Sequence, residues 1–209
     1  MVLRSSELSF EYHSTRRFNF PDLVLDQRES ALLLGSSGSG KSTLLSLLAG
    51  LQRPLQGDIM VKGQKLGDLS ERGLEQFRAE NIGVIFQKAF FLPYLSITQN
   101  LQLVSKLQKV RTSKSEIQAQ LEALNIGHIK NQKPSSCSLG EQQRASIARV
   151  LLQKPALILA DEPTSALDDE NARKVAELLH ETSTAAGSAL LIVTHDQRLK
   201  SEISKSYQL

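Results

Sequence analysis

A stretch rich in glycine and serine, GSSGSGKST at 35–43, has the clearest chemical role in this sequence. It places Gly35, Gly40, Lys41 and Ser42 at the spacing G-x-x-x-x-G-K-[ST]. Glycines let the backbone turn tightly, so that consecutive N–H groups can point at the phosphates of a nucleotide. Lys41 adds a positive charge near the β- and γ-phosphates, and the Ser42 hydroxyl can bind Mg²⁺. The stretch therefore predicts a nucleotide-binding loop.

Two acidic residues, Asp161 and Glu162, form a second candidate group. They follow the apolar run ALILA at 156–160, which is typical of a buried strand. Ligands of an open α/β sheet lie at the carboxyl ends of its strands, so both carboxylates are expected beside the phosphate loop. There Asp161 can hold Mg²⁺ directly or through water, and Glu162 can orient or deprotonate an attacking water. Without such a loop, helix-capping or surface carboxylates would be the simpler interpretation.

Short apolar runs alternate with helical patterns along the chain. ALLLG at 31–35 and ALLIVT at 189–194 are typical of buried strands, and GDIMVKG at 57–63 and NIGVIFQ at 81–87 indicate further strands. KSTLLSLLAGL after the phosphate loop predicts a helix that Gly50 closes. A strand before the motif and a helix after it argue against a chance match. The alternation predicts an α/β fold with a mostly parallel sheet flanked by helices.

The middle of the chain, residues 88–153, has helical periodicity and little strand character. Its apolar residues recur at helical spacing in two groups, Leu101, Val104 and Leu107, and Ile117, Leu121 and Leu124. We expect an inserted helical subdomain there, within a single domain (1–209) whose catalytic core comprises residues 1–87 and 154–209. After the core resumes, Asp168 and Asp169 are predicted to cap a helix with one apolar face, made of Ala172, Val175, Ala176 and Leu179.

The composition is that of an ordinary globular domain, with 40% hydrophobic and 22% charged residues among 209. It excludes wholesale disorder and a disulfide scaffold, and a formal charge of +3 is too small to indicate nucleic-acid binding. The lone Cys137 fits a reducing cytosol, and His13, His128 and His180 lack metal-ligand spacing and are expected at the surface. Since no apolar run approaches the length of a membrane span, any such span must come from another chain.

Further motifs follow in an order that carries a family resemblance. Tyr12 precedes the phosphate loop, Gln87 closes the run at 81–87, and His195 stands in IVTHD. CSLGEQQRASIARVLLQKP at 137–155 contains a signature-like segment, and ILADEPTSALD ends in a D-loop, Ser165 to Asp168. Over nearly its whole length the chain resembles the ATP-binding subunits of ABC transporters.

The resemblance implies a P-loop NTPase fold with an N-terminal antiparallel β portion, and an ATPase that uses ATP and Mg²⁺. In the family two cassettes meet head to tail around two ATP molecules, and hydrolysis separates them. The residues implied to bind ATP are Tyr12, Gly35, Ser36, Ser37, Gly38, Ser39, Gly40, Lys41, Ser42 and Thr43, with Ser138 and Gly140 contributed by the other copy. Those implied to be catalytic are Glu162, His195 and Gln87, and those implied to hold the metal are Ser42, Gln87 and Asp161.

The resemblance also implies separate transmembrane permease subunits. They would hold the chain in the cytoplasm, peripheral on the inner face of the cell membrane, and no nucleic-acid partner is expected. ADEPT together with a glutamate in the signature resembles the branch that serves lipoprotein release, macrolide export and cell division. Phe90, Phe91 and Tyr94 lie where the family receives a coupling helix from the membrane subunit. They would form either an exposed docking patch or the core of the helical part.

Two positions depart from the family pattern. The family signature is usually Leu-Ser-Gly-Gly-Gln, whereas Leu139 replaces its first glycine here. Because leucine hinders close approach and rarely adopts a positive φ, we expect this half of the site to close but to bind ATP less tightly. Ser138 and Glu141 also have the spacing of a helix capping box. Arg28 stands where the family usually has glycine, and we interpret it as a change in a surface turn.

The leading hypothesis is an ATP-hydrolysing subunit that powers a membrane transporter. A nucleotide-gated clamp with little turnover stays open because of Leu139, although Glu162 and His195 argue against it. A soluble ABC-type ATPase acting on DNA or ribosomes would usually carry coiled coils or a second cassette. A small-molecule kinase would leave the signature segment without a role.

Overall fold

Ten strands and six α-helices make up the described part of the chain, which in this computed structural model comprises residues 1–12, 16–107, 112–164 and 169–209. The strands are β1 (Leu3–Tyr12), β2 (Arg16–Asn19), β3 (Leu23–Leu25), β4 (Ser30–Leu34), β5 (Gln56–Val61), β6 (Gln64–Lys65), β7 (Ile82–Ile85), β8 (Leu157–Asp161), β9 (Ala189–Thr194) and β10 (Ser206–Gln208). The helices are α1 (Lys41–Leu48), α2 (Glu71–Asn81), α3 (Ile97–Leu107), α4 (Lys114–Ala123), α5 (Leu139–Leu151) and α6 (Asp169–Ala186).

The central sheet has five parallel strands in the order β10-β4-β9-β8-β7. Every residue of β4 and β9 is buried. Strands buried on both faces are apolar at nearly every position, which explains the continuous runs at 31–35 and 189–194. The sheet confirms the predicted parallel architecture, and it brings the carboxyl ends of β4, β8 and β9 to the same edge.

A second sheet is antiparallel and comes from the N-terminal part of the chain. Its strands run in the order β2-β1-β5-β6, and β3 pairs with β1 on the edge opposite β5. The strand predicted at 57–63 is β5 and belongs to this sheet. The antiparallel N-terminal portion is thereby confirmed.

The two sheets and the helices enclose two hydrophobic cores, one on each face of β4. Leu32 and Leu34 join the core formed with α5 and α6. Ala31 and Leu33 join the core formed with α1 and the antiparallel sheet. Since successive residues of a strand point to opposite faces, β4 holds the layers together from the middle.

Residues 88–153 contain α3, α4 and α5 and no strand among those that the structure describes. Leu101 and the group Ile117, Leu121 and Leu124 are buried, as the helical spacing predicts. The side chains of Val104 and Leu107 lie outside the described residues. The division into a core and a helical subdomain stays a prediction.

The helix predicted after Asp168 is α6, which begins at Asp169, whereas Asp168 itself lies outside the described residues. The apolar face proposed for it is buried, at Ala172, Val175, Ala176 and Leu179.

Two elements differ from the sequence-based expectation. The strand predicted over 81–87 is shorter, because β7 ends at Ile85 and Asn81 is the last residue of α2. Helix α2 itself was not predicted, because none of its residues is fully buried and no apolar stripe marks it. The available signal was its N-cap, where the Ser70 side chain accepts a hydrogen bond from the Gly73 N–H at 3.2 Å.

The turn before β4 explains the departure at Arg28. The Glu29 N–H donates to the Asp26 carbonyl at 3.2 Å, which closes a β-turn. Arg28 has φ 64° in this turn, a left-handed conformation that glycine adopts without steric cost. The turn therefore keeps its shape with arginine, at a cost in backbone strain.

Close packing of α5 on β7 yields a stability prediction. A methyl group at Gly83 would overlap Val150 of α5 and lie 3.0 Å from Pro155 Cγ. Gly83→Ala is expected to lower the free energy of unfolding by about 1–3 kcal/mol, because the helix must move away from the strand. Urea denaturation of both proteins measures the difference.

Gly67→Ala is the matched control. A methyl group there would meet nothing within 4 Å, and the backbone is not left-handed. Equal losses in the two variants would show that glycine content, and not the contact with α5, sets the effect.

Candidate functional site

The phosphate loop joins β4 to α1, and its last glycine is required by its surroundings. Gly40 has φ 104°, and a Cβ there would lie 2.7 Å from Cδ1 of Phe18. Gly38 is also left-handed, with φ 77°. Among the described residues no side chain caps α1 at Gly40. The first-turn N–H groups of a helix attract anions, so this end of α1 suits a phosphate.

Lys41, the first residue of α1, holds its charge inside the loop. Its Nζ donates to the carbonyl oxygens of Gly35 at 2.8 Å and Ser36 at 3.0 Å. The same Nζ lies 3.5 Å from Oε1 of Glu162, and the Lys41 side chain is only 8% exposed. The loop and the acidic pair therefore meet around one ammonium group.

Asp161 ends β8 beside the loop, as the sequence predicts. The Ser42 hydroxyl donates to its Oδ1 at 3.5 Å. Burial raises the pKa of the Asp161 carboxyl above its usual value, and the charge of Glu162 adds to this, while Ser42 and Lys41 act in the opposite direction. A cation beside this carboxylate would relieve its desolvation.

Glu162 is constrained through both its backbone and its carboxylate. Its φ is 45°, a left-handed conformation that costs a residue other than glycine about 1–3 kcal/mol. Its N–H donates to the Val193 carbonyl at 2.8 Å, and the Thr194 hydroxyl donates to Oε2 at 3.1 Å. Nδ1 of His195 lies 3.0 Å from both carboxylate oxygens. The carboxylate is thus fixed from β9 as well as from Lys41.

Thr194 was not singled out in the sequence. It is fully buried as the last residue of β9, and its hydroxyl also accepts a hydrogen bond from the Asp196 N–H at 3.0 Å. Its position directly before His195 was the available signal.

A cavity of about 730 Å³ unites most of the predicted residues. It is lined by Tyr12, Phe18, Ser36, Ser37, Gly38, Gly40, Lys41, Ser42, Thr43, Gln87, Glu162 and His195. Gly35 and Ser39 lie within the loop behind this surface, where a Cβ on Gly35 would be 2.7 Å from the Ser39 hydroxyl oxygen. Phosphate-binding groups and the Glu162 carboxylate thus face one space large enough for a nucleotide.

Aromatic rings form one side of this cavity. Tyr12 on β1 packs edge-on against Phe10 and Phe18, with ring centroids 4.8 and 6.3 Å apart. The Tyr12 hydroxyl lies 3.3 Å from the Thr43 hydroxyl, and the residue is 40% exposed. Phe18 was not predicted, and its alternation with Phe20 in RRFNF at 16–20 was the signal for it.

Gln87 follows β7 by two residues and does not end the strand, so that part of the prediction was wrong. It lines the nucleotide-sized cavity and also a second one, of about 780 Å³, between the acidic pair and the start of α5. Leu139 and Gln143 line the second cavity.

The signature segment begins α5 and lies apart from the first cavity. Ser138 is the N-cap: its hydroxyl accepts from the Glu141 N–H at 3.3 Å, and its own N–H donates to Glu141 Oε2 at 2.7 Å. The predicted capping box is therefore present. Gly140 stands in the first turn, and a Cβ there would approach only Arg144, at 3.7 Å.

The structure bears on one of the two reasons for which Leu139 was expected to weaken ATP binding. Leu139 is a helical residue and is not among the residues with positive φ, so this reason for weaker ATP binding does not apply. Its side chain is 71% exposed beside Ser138, which leaves the proposed obstruction of close approach as a prediction.

The aromatic residues after Gln87 divide between the two interpretations. Phe90 and Tyr94 are 64% and 86% exposed. Phe91 packs against the core, with the Arg149 guanidinium 5.1 Å from its ring centroid. An exposed patch and a core contact thus coexist in one segment.

His180 and Cys137 have simple structural contacts. His180 Nδ1 lies 2.9 Å from the Ser30 hydroxyl, and Cys137 is buried, which raises the pKa of its thiol. The D-loop at 165–168 and His13 lie outside the described residues.

In the described part of the chain, no three or more His, Cys, Asp or Glu side chains could hold a metal together. No helix in those residues is long and apolar enough to cross a membrane.

Comparison with known proteins agrees with this geometry. A model of the family described as ABC transporter matches residues 19–165, more than half of the chain. The chain belongs to the ABC transporter family. Membership establishes it as an ATP-binding subunit of an ABC transporter and as an ATPase.

Similar proteins within the ABC transporter family cover the whole chain. The lipoprotein-releasing system ATP-binding protein LolD of Hydrogenovibrio crunogenus is 39% identical, over 100% of this chain and 94% of that protein. Among solved structures, the dimeric post-hydrolysis cassette MJ0796 bound to ADP and Pi has a TM-score of 0.87 and 27% identity, covering 99% of this chain and 94% of that one. The structure of cbiO1 from Clostridium perfringens, part of the complex cbiONQ, gives 0.88 and 25%, covering 99% and 84%.

The half-buried carboxyl of Asp161 yields a prediction with a pH dependence. Its folded pKa lies above the unfolded value, so its ionised form costs stability above the folded pKa. Asp161→Asn is therefore expected to raise the thermal unfolding midpoint near neutral pH while it abolishes ATP hydrolysis. As the pH falls toward the ordinary aspartate value of 3.8, the midpoints of the two proteins should converge.

Asp68→Asn is the control, because Asp68 is an exposed carboxylate outside the cavity. A variant at Asp161 that is less stable than the unmodified chain at neutral pH would contradict the proposed cost of burial.

Proposed function

We propose that this chain is the ATPase of a transporter that releases lipoproteins from a membrane. The observation that carries the catalytic part is the carboxylate of Glu162, held between Lys41 and His195 at the mouth of the phosphate loop. The LolD relative supports the lipoprotein substrate. The core at 1–87 and 154–209 would bind ATP, and the helical part at 88–153 would carry the signature.

The loop and α1 would bind the β- and γ-phosphates through backbone N–H groups and Lys41. Mg²⁺ fits beside them, since the Ser42 hydroxyl and Asp161 carboxylate are hard oxygen donors that already approach to 3.5 Å. These two residues and Gln87 would hold the cation, which would neutralise phosphate charge. The aromatic ring of Tyr12 would receive the adenine.

Glu162 would orient a water molecule and take its proton as the water oxygen attacks the γ-phosphorus. The bond from that phosphorus to the bridging oxygen breaks, and ADP and phosphate result. Thr194 and His195 keep the carboxylate in one orientation during this step. Positioning of this kind supplies most of the catalysis in phosphoryl transfer.

A second copy of the chain would complete the site. Ser138 and Gly140 stand at the start of α5, outside the cavity that contains Lys41. A head-to-tail dimer would bring them to the γ-phosphate bound by the other copy. The dimeric form of the MJ0796 cassette supports this arrangement.

Separate membrane subunits would dock on the segment after Gln87. Phe90, Leu92 and Tyr94 are all at least half exposed, an apolar surface that suits a protein partner. The chain would then lie on the cytoplasmic face of the membrane, held there by that partner.

Glu162→Gln tests the dimer and the catalytic role together. The amide keeps the size of the side chain but cannot accept the proton, so bound ATP should persist. With Mg-ATP the variant is expected to change from monomer to dimer in light scattering, while hydrolysis falls at least about a hundredfold.

Glu181→Gln, an exposed carboxylate on α6, is the control and should leave both readouts unchanged. A Glu162→Gln variant that still hydrolyses ATP would overturn its role as the base. The chain could also hydrolyse ATP without ever forming a dimer, even with its membrane subunits. That result would favour an ATPase that does not work through a head-to-tail dimer around ATP.

Docking is tested by Tyr94→Ser. Membrane subunits and a lipoprotein should stimulate ATP hydrolysis by the unmodified chain, and the variant should lose most of that stimulation. Its hydrolysis in isolation should stay unchanged, because Tyr94 does not line the cavity. Val24→Ser, an exposed apolar residue on β3, is the control. Equal stimulation of the variant and the unmodified chain would contradict docking at this segment.

A further inference from the structure

Glu141 places a negative charge in the first turn of α5, the part of the helix proposed to face a phosphate. Glu141 stands in the first turn, and its Oε2 accepts from the Ser138 N–H at 2.7 Å and from the Ser138 hydroxyl at 2.9 Å. These hydrogen bonds, with that to His128, lower the pKa of the Glu141 carboxyl, so it is ionised at neutral pH. A carboxylate here stabilises the helix, yet it weakens the pull of the helix end on another anion.

The second oxygen of this carboxylate meets a histidine from another element. Oε1 of Glu141 lies 2.7 Å from Nε2 of His128, in the 3₁₀ turn Gly127–Ile129. Glu141 is 19% exposed and His128 is 62% exposed. The turn is anchored by Ile126 and Ile129, both buried. The buried neighbours Ile126 and Ile129 therefore hold the backbone of His128 in place, while its ring contacts the signature segment.

The two contacts together fix one rotamer of Glu141. With Oε2 committed to Ser138 and Oε1 to His128, the carboxylate cannot rotate toward a phosphate approaching α5. A hydrogen bond to a charged acceptor is stronger than one between neutral groups, so loss of the His128 donor should leave the carboxylate held only through Oε2, by Ser138. It would also leave the charge of Glu141 less well compensated beside Ser138.

We propose that His128 is a positioning residue for closure of the ATP-bound dimer. It acts through Glu141, holding the capping box and with it the first-turn N–H groups of α5, at Leu139 and Gly140, in the geometry that meets the phosphate bound by the second copy. This inference rests on the proposed head-to-tail dimer. His128 itself touches neither the nucleotide-sized cavity nor the acidic pair.

The test measures dimer formation in the Glu162→Gln background, with Mg-ATP, by analytical ultracentrifugation. His128→Ala should raise the dissociation constant of the dimer. The expected increase is roughly tenfold for each of the two signature segments in the dimer, as for one charge-assisted hydrogen bond. The affinity of the monomer for ATP should stay unchanged, because that site is built from other residues. His128→Gln, which keeps an N–H donor, should recover most of the loss.

A double-mutant cycle separates this role from a general effect on folding. If His128 acts through Glu141, His128→Ala should add little once Glu141→Gln has removed the charge. Lys133→Ala, an exposed residue of the same region, is the control and should leave the dimer unchanged. With Glu162 intact, His128→Ala should raise the protein concentration needed for half-maximal hydrolysis and leave the plateau rate unchanged.

Two results would overturn the inference: an unchanged dimer in His128→Ala, or an equal loss with and without Glu141→Gln. A lower thermal unfolding midpoint in both His128→Ala and His128→Gln, large enough to explain the weaker dimer, would also overturn it. Failure of Glu162→Gln alone to dimerise is a different outcome, and it would count against the head-to-tail dimer instead.

Discussion

The parallel register of β4, β9 and β8 is the constraint on which the site depends. Leu34 pairs with Thr194, and Asp161 pairs with Val193. The first residues after these strands are therefore the start of the phosphate loop, the glutamate proposed as the catalytic base and the histidine beside it. They come from segments far apart in sequence, and a shift of one residue in any strand would move its side chains to the opposite face. Apolar burial of the strands thus fixes the alignment of polar groups that do not pack in the core.

The polar groups at this edge are held in arrangements that the isolated chain would not choose. Glu162 has a left-handed backbone, and Asp161 has a carboxyl whose ionisation is disfavoured by burial. The hydrogen bond from the Glu162 N–H to Val193 and the contacts of its side chain with Thr194 and His195 maintain the strained residue. Strain and desolvation concentrated at a site, with support from a buried strand, are what a preorganised catalytic carboxylate requires.

Buried strands and local motifs could be predicted from the sequence, whereas residues that act through contacts with distant segments could not. The strands at 31–35 and 189–194 were predictable because burial on both faces makes them apolar throughout. Motif spacing located the phosphate loop and the acidic pair, since those residues are neighbours in the chain. Phe18 and Thr194 were missed because their importance arises from contacts with distant segments. Helix α2 was missed because it buries no complete side chain, and the strain at Glu162 has no signature in residue types.

Helix α5 shows how packing connects the signature segment at its start to the segment that follows β7. Its first residue follows Ser138, and toward its other end Val150 lies against Gly83 of β7, where even a methyl group would not fit. Gln87 follows the same strand by two residues, and Arg149 of α5 donates to the carbonyl of Phe90 in the segment beyond it. Because close-packed contacts of this kind do not deform continuously, α5 and the Gln87 segment must move together or exchange one packing for another. The position of Ser138 is therefore tied to that of Gln87 by the fold itself.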